Sequence, residues 1–167
     1  MSPLADVLGM PAQELETLVA RLKARHETVA TAESLTAGLV CAAITSVPGA
    51  SAVVRGGLIV YATDLKWGLA GVDPDLLAER GAVDPDVAVQ LATGARDRCG
   101  ATWGLGLTGV AGPDPQDGVA PGTVHIGLAG SGSVNVSTIT VGGDRHEVRS
   151  AAVRVAVDLL SGRLGAP

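Results

Sequence analysis

The chain has 167 residues, 47% hydrophobic and 17% charged, a balance that fits one domain with a sizeable core and argues against disorder. The net charge of −5 argues against a general nucleic-acid binder, which needs a basic face. Aromatics are only 2%, with no Phe, so the core must be built from Val, Leu, Ile and Ala.

Residues 1–10 carry no clear pattern. Pro11 can open a helix at its first position, and Leu15, Leu18, Val19 and Leu22 mark the inner face of that helix. Residues 27–31 read as a strand, and Leu39, Val40, Ala43, Ile44 and Val47 then recur at helical spacing. Between them lies Thr31-Ala32-Glu33-Ser34-Leu35-Thr36-Ala37-Gly38, a hydroxyl-rich turn where a strand ends and a helix begins. The unpaired amides and positive dipole end of such a helix suit a phosphate, or the oxyanion of an acyl transfer. Ser34 and Thr36 are the hydroxyls at hand. Both are also good N-caps, and a cap needs no chemistry; Thr36 could cap while Ser34 points outward.

After the break at Pro48-Gly49-Ala50-Ser51, Gly57-Leu58-Ile59-Val60-Tyr61 reads as a buried strand, short and continuously apolar. Residues 62–67 then turn into a short helix capped by Thr63 or Asp64. Strand ends are where α/β folds place their chemistry, so Tyr61 and Lys66 are candidates for the same cleft as Ser34. A serine nucleophile needs a base; a desolvated lysine can supply one, with tyrosine relaying or orienting. Singly, Tyr61 also reads as a half-buried strand residue and Lys66 as a surface lysine. Gly71-Val72-Asp73-Pro74 begins a short helix through Leu76 and Leu77, and Asp84-Pro85 starts a longer one with Val87, Ala88, Leu91, Ala92 and Ala95 inward. Gly94, inside that helix, costs roughly 1 kcal/mol relative to Ala, which close packing can offset.

Residues 101–108 read as a strand opening into the loop 109–118, whose glycines would let backbone amides approach an anion. The loop is not a P-loop, lacking the Gly-Lys-Ser/Thr ending, and it lacks the dinucleotide spacing. Residues 121–129 and 133–141 form a hairpin about Gly130-Ser131-Gly132, which implies a mixed sheet. His125 has no His or Cys companion and reads as a strand-face residue. The last helix opens with Asp144 and Glu147 spaced as a capping box, carries Val148, Ala152, Val155 and Leu159 inward, and ends at Gly162 before a loose tail. Arg145 and Arg149, one turn apart near its start, oppose the dipole; an anion bound there would explain them, as would a solvated pair. Cys41 and Cys99 indicate neither a disulfide nor a zinc site. No leader and no membrane-length segment are visible, so a cytoplasmic protein is expected. Without repeats or a linker, residues 1–167 read as a single domain.

Ala32-Glu33-Ser34-Leu35-Thr36-Ala37-Gly38, the stretch 57–66, and Thr108-Gly109-Val110-Ala111-Gly112-Pro113 with the later Pro121-Gly122-Thr123-Val124 occur in one order that resembles the CinA C-terminal domain family. Stand-alone members of that family are nicotinamide mononucleotide deamidases, and the resemblance runs from the first helix to the last, through Gly143-Asp144-Arg145. It implies a three-layer α/β/α sandwich with a mixed, mostly parallel sheet including the C-terminal hairpin. It also implies hydrolysis of the carboxamide of nicotinamide mononucleotide to nicotinate mononucleotide and ammonia, feeding NAD recycling. Ser34 would be the nucleophile, and Lys66 and Tyr61 would activate it or shuttle protons. Thr36 and Thr108 would line the pocket, and Gly109, Ala111 and Gly112 would offer backbone contacts. Arg145 would meet the phosphate, an electrostatic inference as much as a carry-over. No metal and no cofactor are required. Neither nucleic acid nor membrane is a partner, and a homodimer or higher homo-oligomer is expected. Leu35 stands where the family commonly has Cys, Ala37 where Gly is common, and Thr108 where Ser is frequent. The other reading is a non-catalytic nucleotide- or phosphate-binding module of the same fold.

Overall fold

Strand β1 (Val29–Glu33) is buried along its whole length, as a strand flanked by others and covered on both faces must be. A computed structural model describes residues 3–165 of the chain. There, α1 (Pro3–Val7) and α2 (Ala12–Ala24) precede β1; α3 (Leu39–Thr45), β2 (Val54–Ile59), α4 (Thr63–Gly68), α5 (Pro74–Arg80) and α6 (Pro85–Cys99) follow. The chain closes with β3 (Trp103–Gly109), β4 (Thr123–Gly130), β5 (Ser133–Thr140) and α7 (Arg145–Leu164). The strands form one five-stranded sheet in the order β2-β1-β3-β4-β5. β1 pairs parallel with β2 and β3, whereas β3–β4 and β4–β5 are antiparallel. β4 alone is therefore reversed, and the sheet is mixed, as the hairpin requires.

Side chains alternating along the strands build two cores. Val29, Leu105, Leu107, Val124, Ile126 and Leu128 face α2, α3 and α7, while Ala30 and Ala32 face α6 and the segment 60–77. Glycines bring α6 close to the sheet. A Cβ at Gly104 would run into the Ala92 carbonyl, and one at Gly106 or Gly127 into the Ala88 carbonyl. Gly94 answers to the same demand from the other side, since a Cβ there would strike the Ala70 carbonyl.

Several local expectations need correction. The segment at 57–61 is not a buried strand: β2 is an edge strand with β1 as its sole partner, half-exposed along its length. Val60 is buried just beyond it, but Tyr61 is 57% exposed. Neither Thr63 nor Asp64 caps α4; Ala62 holds the N-cap position without a side-chain bond. Gly162 does not end α7, which runs on to Leu164. Pro3–Val7, unpatterned in sequence, forms a short helix whose Ala5 is fully buried. Asp84 caps α6 as expected, and Asp144 with Glu147 closes a complete capping box on α7. The expected loose tail lies in part outside the described residues.

Candidate active site

The C-terminal ends of β1, β2 and β3 meet at one edge of the sheet, and the turn after β1 is stitched between its neighbours. Ser34 N donates to Leu107 O at 3.0 Å, and Val60 N donates to Glu33 O at 2.9 Å. Ser34, 8% exposed, reaches a cleft of about 300 Å³ walled also by Leu35, Tyr61, Thr108, Gly109, Ala111, Gly112 and Arg145. That volume is at the lower end of the range for small-molecule sites. A larger hollow, about 730 Å³, lies along α2 beside Leu164 and contains none of these residues.

Lys66 projects inward from α4 while its neighbour Trp67 faces solvent; the lysine is 1% exposed. Its Nζ lies 3.0 Å from Ser34 Oγ, 2.8 Å from Val60 O and 3.2 Å from Tyr61 O. These three partners are neutral oxygens. Burial pushes the amine down to about 8, against a smaller upward pull from Asp64. In the neutral form, two N–H groups satisfy the two carbonyls and the nitrogen lone pair is left for the Ser34 hydroxyl. The pair is thus arranged for proton transfer from alcohol to amine.

The helix start does not provide the free amides expected of it. Glu33, fully buried, accepts from Gly38 N at 3.0 Å, Val40 N at 3.1 Å and Cys41 N at 2.9 Å. Its carboxylate does the capping that Ser34 or Thr36 was expected to do. Gly38 occupies the N-cap position at φ 97°, and Ala37 before it is also left-handed at φ 48°. A Cβ in that region is strained by roughly 1–2 kcal/mol, which a glycine at 37 would avoid. Thr36 Oγ1 is buried without a hydrogen-bond partner among the described residues, and Thr36 is not on the cleft wall. Thr108, on the cleft wall, donates its Oγ1–H to Ala82 O at 2.6 Å.

The Tyr61 side chain goes elsewhere than to Lys66. Its hydroxyl accepts from Arg145 Nη2 at 2.9 Å, and Arg145 Nη1 donates to Gly112 O at 2.9 Å. Arg145 therefore bridges the loops after β2 and β3 at the cleft rim. Arg149, one turn on, does not join it: Nε donates to Leu35 O at 2.9 Å and Nη2 to Thr36 O at 3.4 Å. Sequence reasoning assigned no role to Glu33 and looked for an anion beside Arg149. A carboxylate closing a strand just before a helix was the signal available for the first; nothing local signalled the second. His125 is a strand-face residue, with Nδ1 2.8 Å from Thr138 Oγ1 and burial holding it below the usual imidazole range. Among the described residues no group of three or more His, Cys, Asp and Glu could hold a metal ion, and no helix is long and apolar enough to cross a membrane.

Sheet order and cleft together define a three-layer α/β domain with a Ser–Lys pair at its strand ends. The chain belongs to the CinA C-terminal domain family, whose model matches residues 12–164. A CinA-like protein of Frankia casuarinae is 47% identical over 157 residues, covering 93% of this chain and 36% of that protein. One of Anaeromyxobacter sp. (strain Fw109-5) is 48% identical over 156 residues, covering 92% and 38%. The chain thus spans little more than a third of the length of these curated relatives. Among solved structures, a competence-damaged protein (CinA) superfamily protein from Enterobacter cloacae superposes with a TM-score of 0.88 at 29% identity, covering 92% of each chain. The competence/damage inducible protein CihA from Agrobacterium tumefaciens gives 0.84 at 34% identity, covering 92% of this chain and 96% of its own.

Proposed function

We propose that this domain hydrolyses the carboxamide of nicotinamide mononucleotide, releasing ammonia and nicotinate mononucleotide for return to NAD. The observation that carries the reading is the buried Lys66 amine 3.0 Å from Ser34 Oγ, with its charged form disfavoured. Neutral Lys66 takes the Ser34 proton as Oγ bonds to the carboxamide carbon. The resulting ammonium returns that proton to the departing nitrogen, the C–N bond breaks, and ammonia leaves an acyl-serine. Water then attacks the ester carbon, Lys66 accepting its proton and giving one back to Ser34 Oγ. Thr108 and the backbone at Gly109, Ala111 and Gly112 line the space for the pyridine ring and ribose. Arg145, exposed at the rim, meets the phosphate, with Tyr61 holding the guanidinium in place.

The test is an ammonia assay on the purified protein with nicotinamide mononucleotide, with free nicotinamide as control. Turnover is expected in wild type, and Ser34→Ala is expected to lose it by at least about a thousandfold while melting as a folded protein. Undiminished turnover in that variant would remove Ser34 from the chemistry. Stabilisation by the nucleotide with no ammonia released from wild type would favour the binding-module reading instead. The exposed Ile59 on β2, Leu65 and Trp67 on α4 and Leu69 just after it support a homo-oligomer, which sedimentation of the purified chain would reveal.

A further inference from the structure

We infer that Asp114 sets the specificity of this cleft: its carboxylate is the counter-charge for a cationic pyridinium ring, so the site favours the oxidised nucleotide over the same nucleotide with a neutral dihydropyridine ring. The inference rests on the amidase reading and deepens it by fixing the charge state of the ring. Arg145 and Asp114 are the charged residues on the cleft wall. Arg145 Nη1 reaches Gly112 O, only two positions before Asp114. Yet among the described residues no ion pair joins the two, and the Asp114 carboxylate has no hydrogen-bond partner. The guanidinium is engaged instead with neutral oxygens, Gly112 O and the Tyr61 hydroxyl. Asp114 stands between Pro113 and Pro115, and the fixed φ of each proline, with the extended bias before the second, stiffens the backbone that carries the carboxylate. One cleft therefore holds a tethered positive charge and a separate, unpaired negative one.

Nicotinamide mononucleotide has the matching pair, a phosphate and a quaternary pyridinium nitrogen. The phosphate falls to Arg145, and the ring nitrogen is left to find an anion. The reacting end does not supply one. Lys66 has only neutral oxygens as partners, and Glu33 lies off the wall with its carboxylate spent on the amides of Gly38, Val40 and Cys41. On the wall, Asp114 has the required sign. A ring reduced to the dihydropyridine has nearly the same outline but no charge for the carboxylate to meet, while its phosphate is still repelled by Asp114. Electrostatics, and not fit, then separates the two forms.

Titration calorimetry on the full chain tests this with nicotinamide mononucleotide and its dihydropyridine form, in a Ser34→Ala background where turnover does not consume the ligand. The oxidised form is expected to bind at least about fivefold more tightly. Adding Asp114→Asn is expected to cut that preference about three- to fivefold by weakening the oxidised form, and adding Asp114→Glu, which keeps the charge, to retain it within about 1.5-fold. Salt raised from about 0.05 M to about 0.5 M should erode the preference where the carboxylate is present and leave it unchanged in the Asn variant. The inference is overturned if the Asn variant keeps the preference within about 1.5-fold, if neither form binds, or if the Asn variant binds both forms more tightly, which would set the carboxylate against the phosphate. Asp114 makes no bond within the protein, so the Asn variant should melt with its parent; should it not, Asp114→Ser decides by the same criteria. Ammonia release is read separately on wild type. Its absence sinks the amidase reading, whereas turnover together with an unchanged preference sinks only the role of Asp114.

Discussion

Lys66 is a lysine that folding makes less basic. Its amine drops from 10.5 to about 8 on burial, equivalent to about 3 kcal/mol of penalty on the charged form. Between about pH 8 and 10.5 the unfolded chain binds more protons at this site than the folded one, so stability climbs with pH across that window. Below about pH 8 both states are protonated and the whole penalty is present. Urea unfolding at a series of pH values should show this slope in wild type and lack it in Lys66→Met, a difference of up to about 3 kcal/mol over the window. Since the base must be neutral, kcat/KM should also rise with pH about a midpoint near 8, while Lys66→Met should be inactive at every pH. A flat profile in wild type would separate Lys66 from the proton transfer. Residue types were legible in the sequence here; their meeting was not. Ser34 and Lys66 are far apart in the chain, and no local spacing brings them together. The family resemblance joined them, and it did not reveal that the Tyr61 hydroxyl faces Arg145 or that Glu33 takes the amides of α3.

At the scale of elements, the legible features were those with local signals. Asp84-Pro85 and the Asp144/Glu147 pair declare helix starts within a few residues, and both helices begin there. The edge position of β2 has no such signal, because it depends on which strands pair. The stretch 57–61 is apolar enough to be read as interior, yet among the described residues no strand lies beyond β2 in the sheet. Glycine has the same ambiguity, which packing resolves. Gly127→Ala would force a Cβ to within 2.6 Å of the Ala88 carbonyl carbon, and a loss of about 1–3 kcal/mol is expected from overpacking. Gly162→Ala meets open space in the last turn of α7 and should gain up to about 0.5 kcal/mol. Thermal melts of the two variants should therefore move in opposite directions. A shared direction would mean that α6 is not held against the sheet as described.

Across the whole molecule, the cleft and the Lys66 amine behind Ser34 draw on residues 34–35, 61–66, 82–83, 108–116 and 145, segments spread over most of the chain. Such a site has no separate stability of its own. Loss of turnover and loss of the helical circular-dichroism signal should coincide in urea, as one cooperative transition. Turnover vanishing at clearly lower urea would show that the loops of the cleft open while the sheet persists. The family resemblance made the layered architecture readable at this scale; composition told only that the core is small and aliphatic, and glycines let a helix lie low on the sheet, as α6 does.

Glu33 consumes the positive pole of α3 within the protein, so an acidic ligand finds no welcome beside the serine. The exposed cation on the wall is Arg145, held at the rim by Tyr61 and Gly112. For the nucleotide proposed above, this predicts a single orientation, phosphate outward at the guanidinium and carboxamide inward. Inverted, the phosphate would leave Arg145 behind and lie where the amides of Gly38, Val40 and Cys41 are already taken by Glu33.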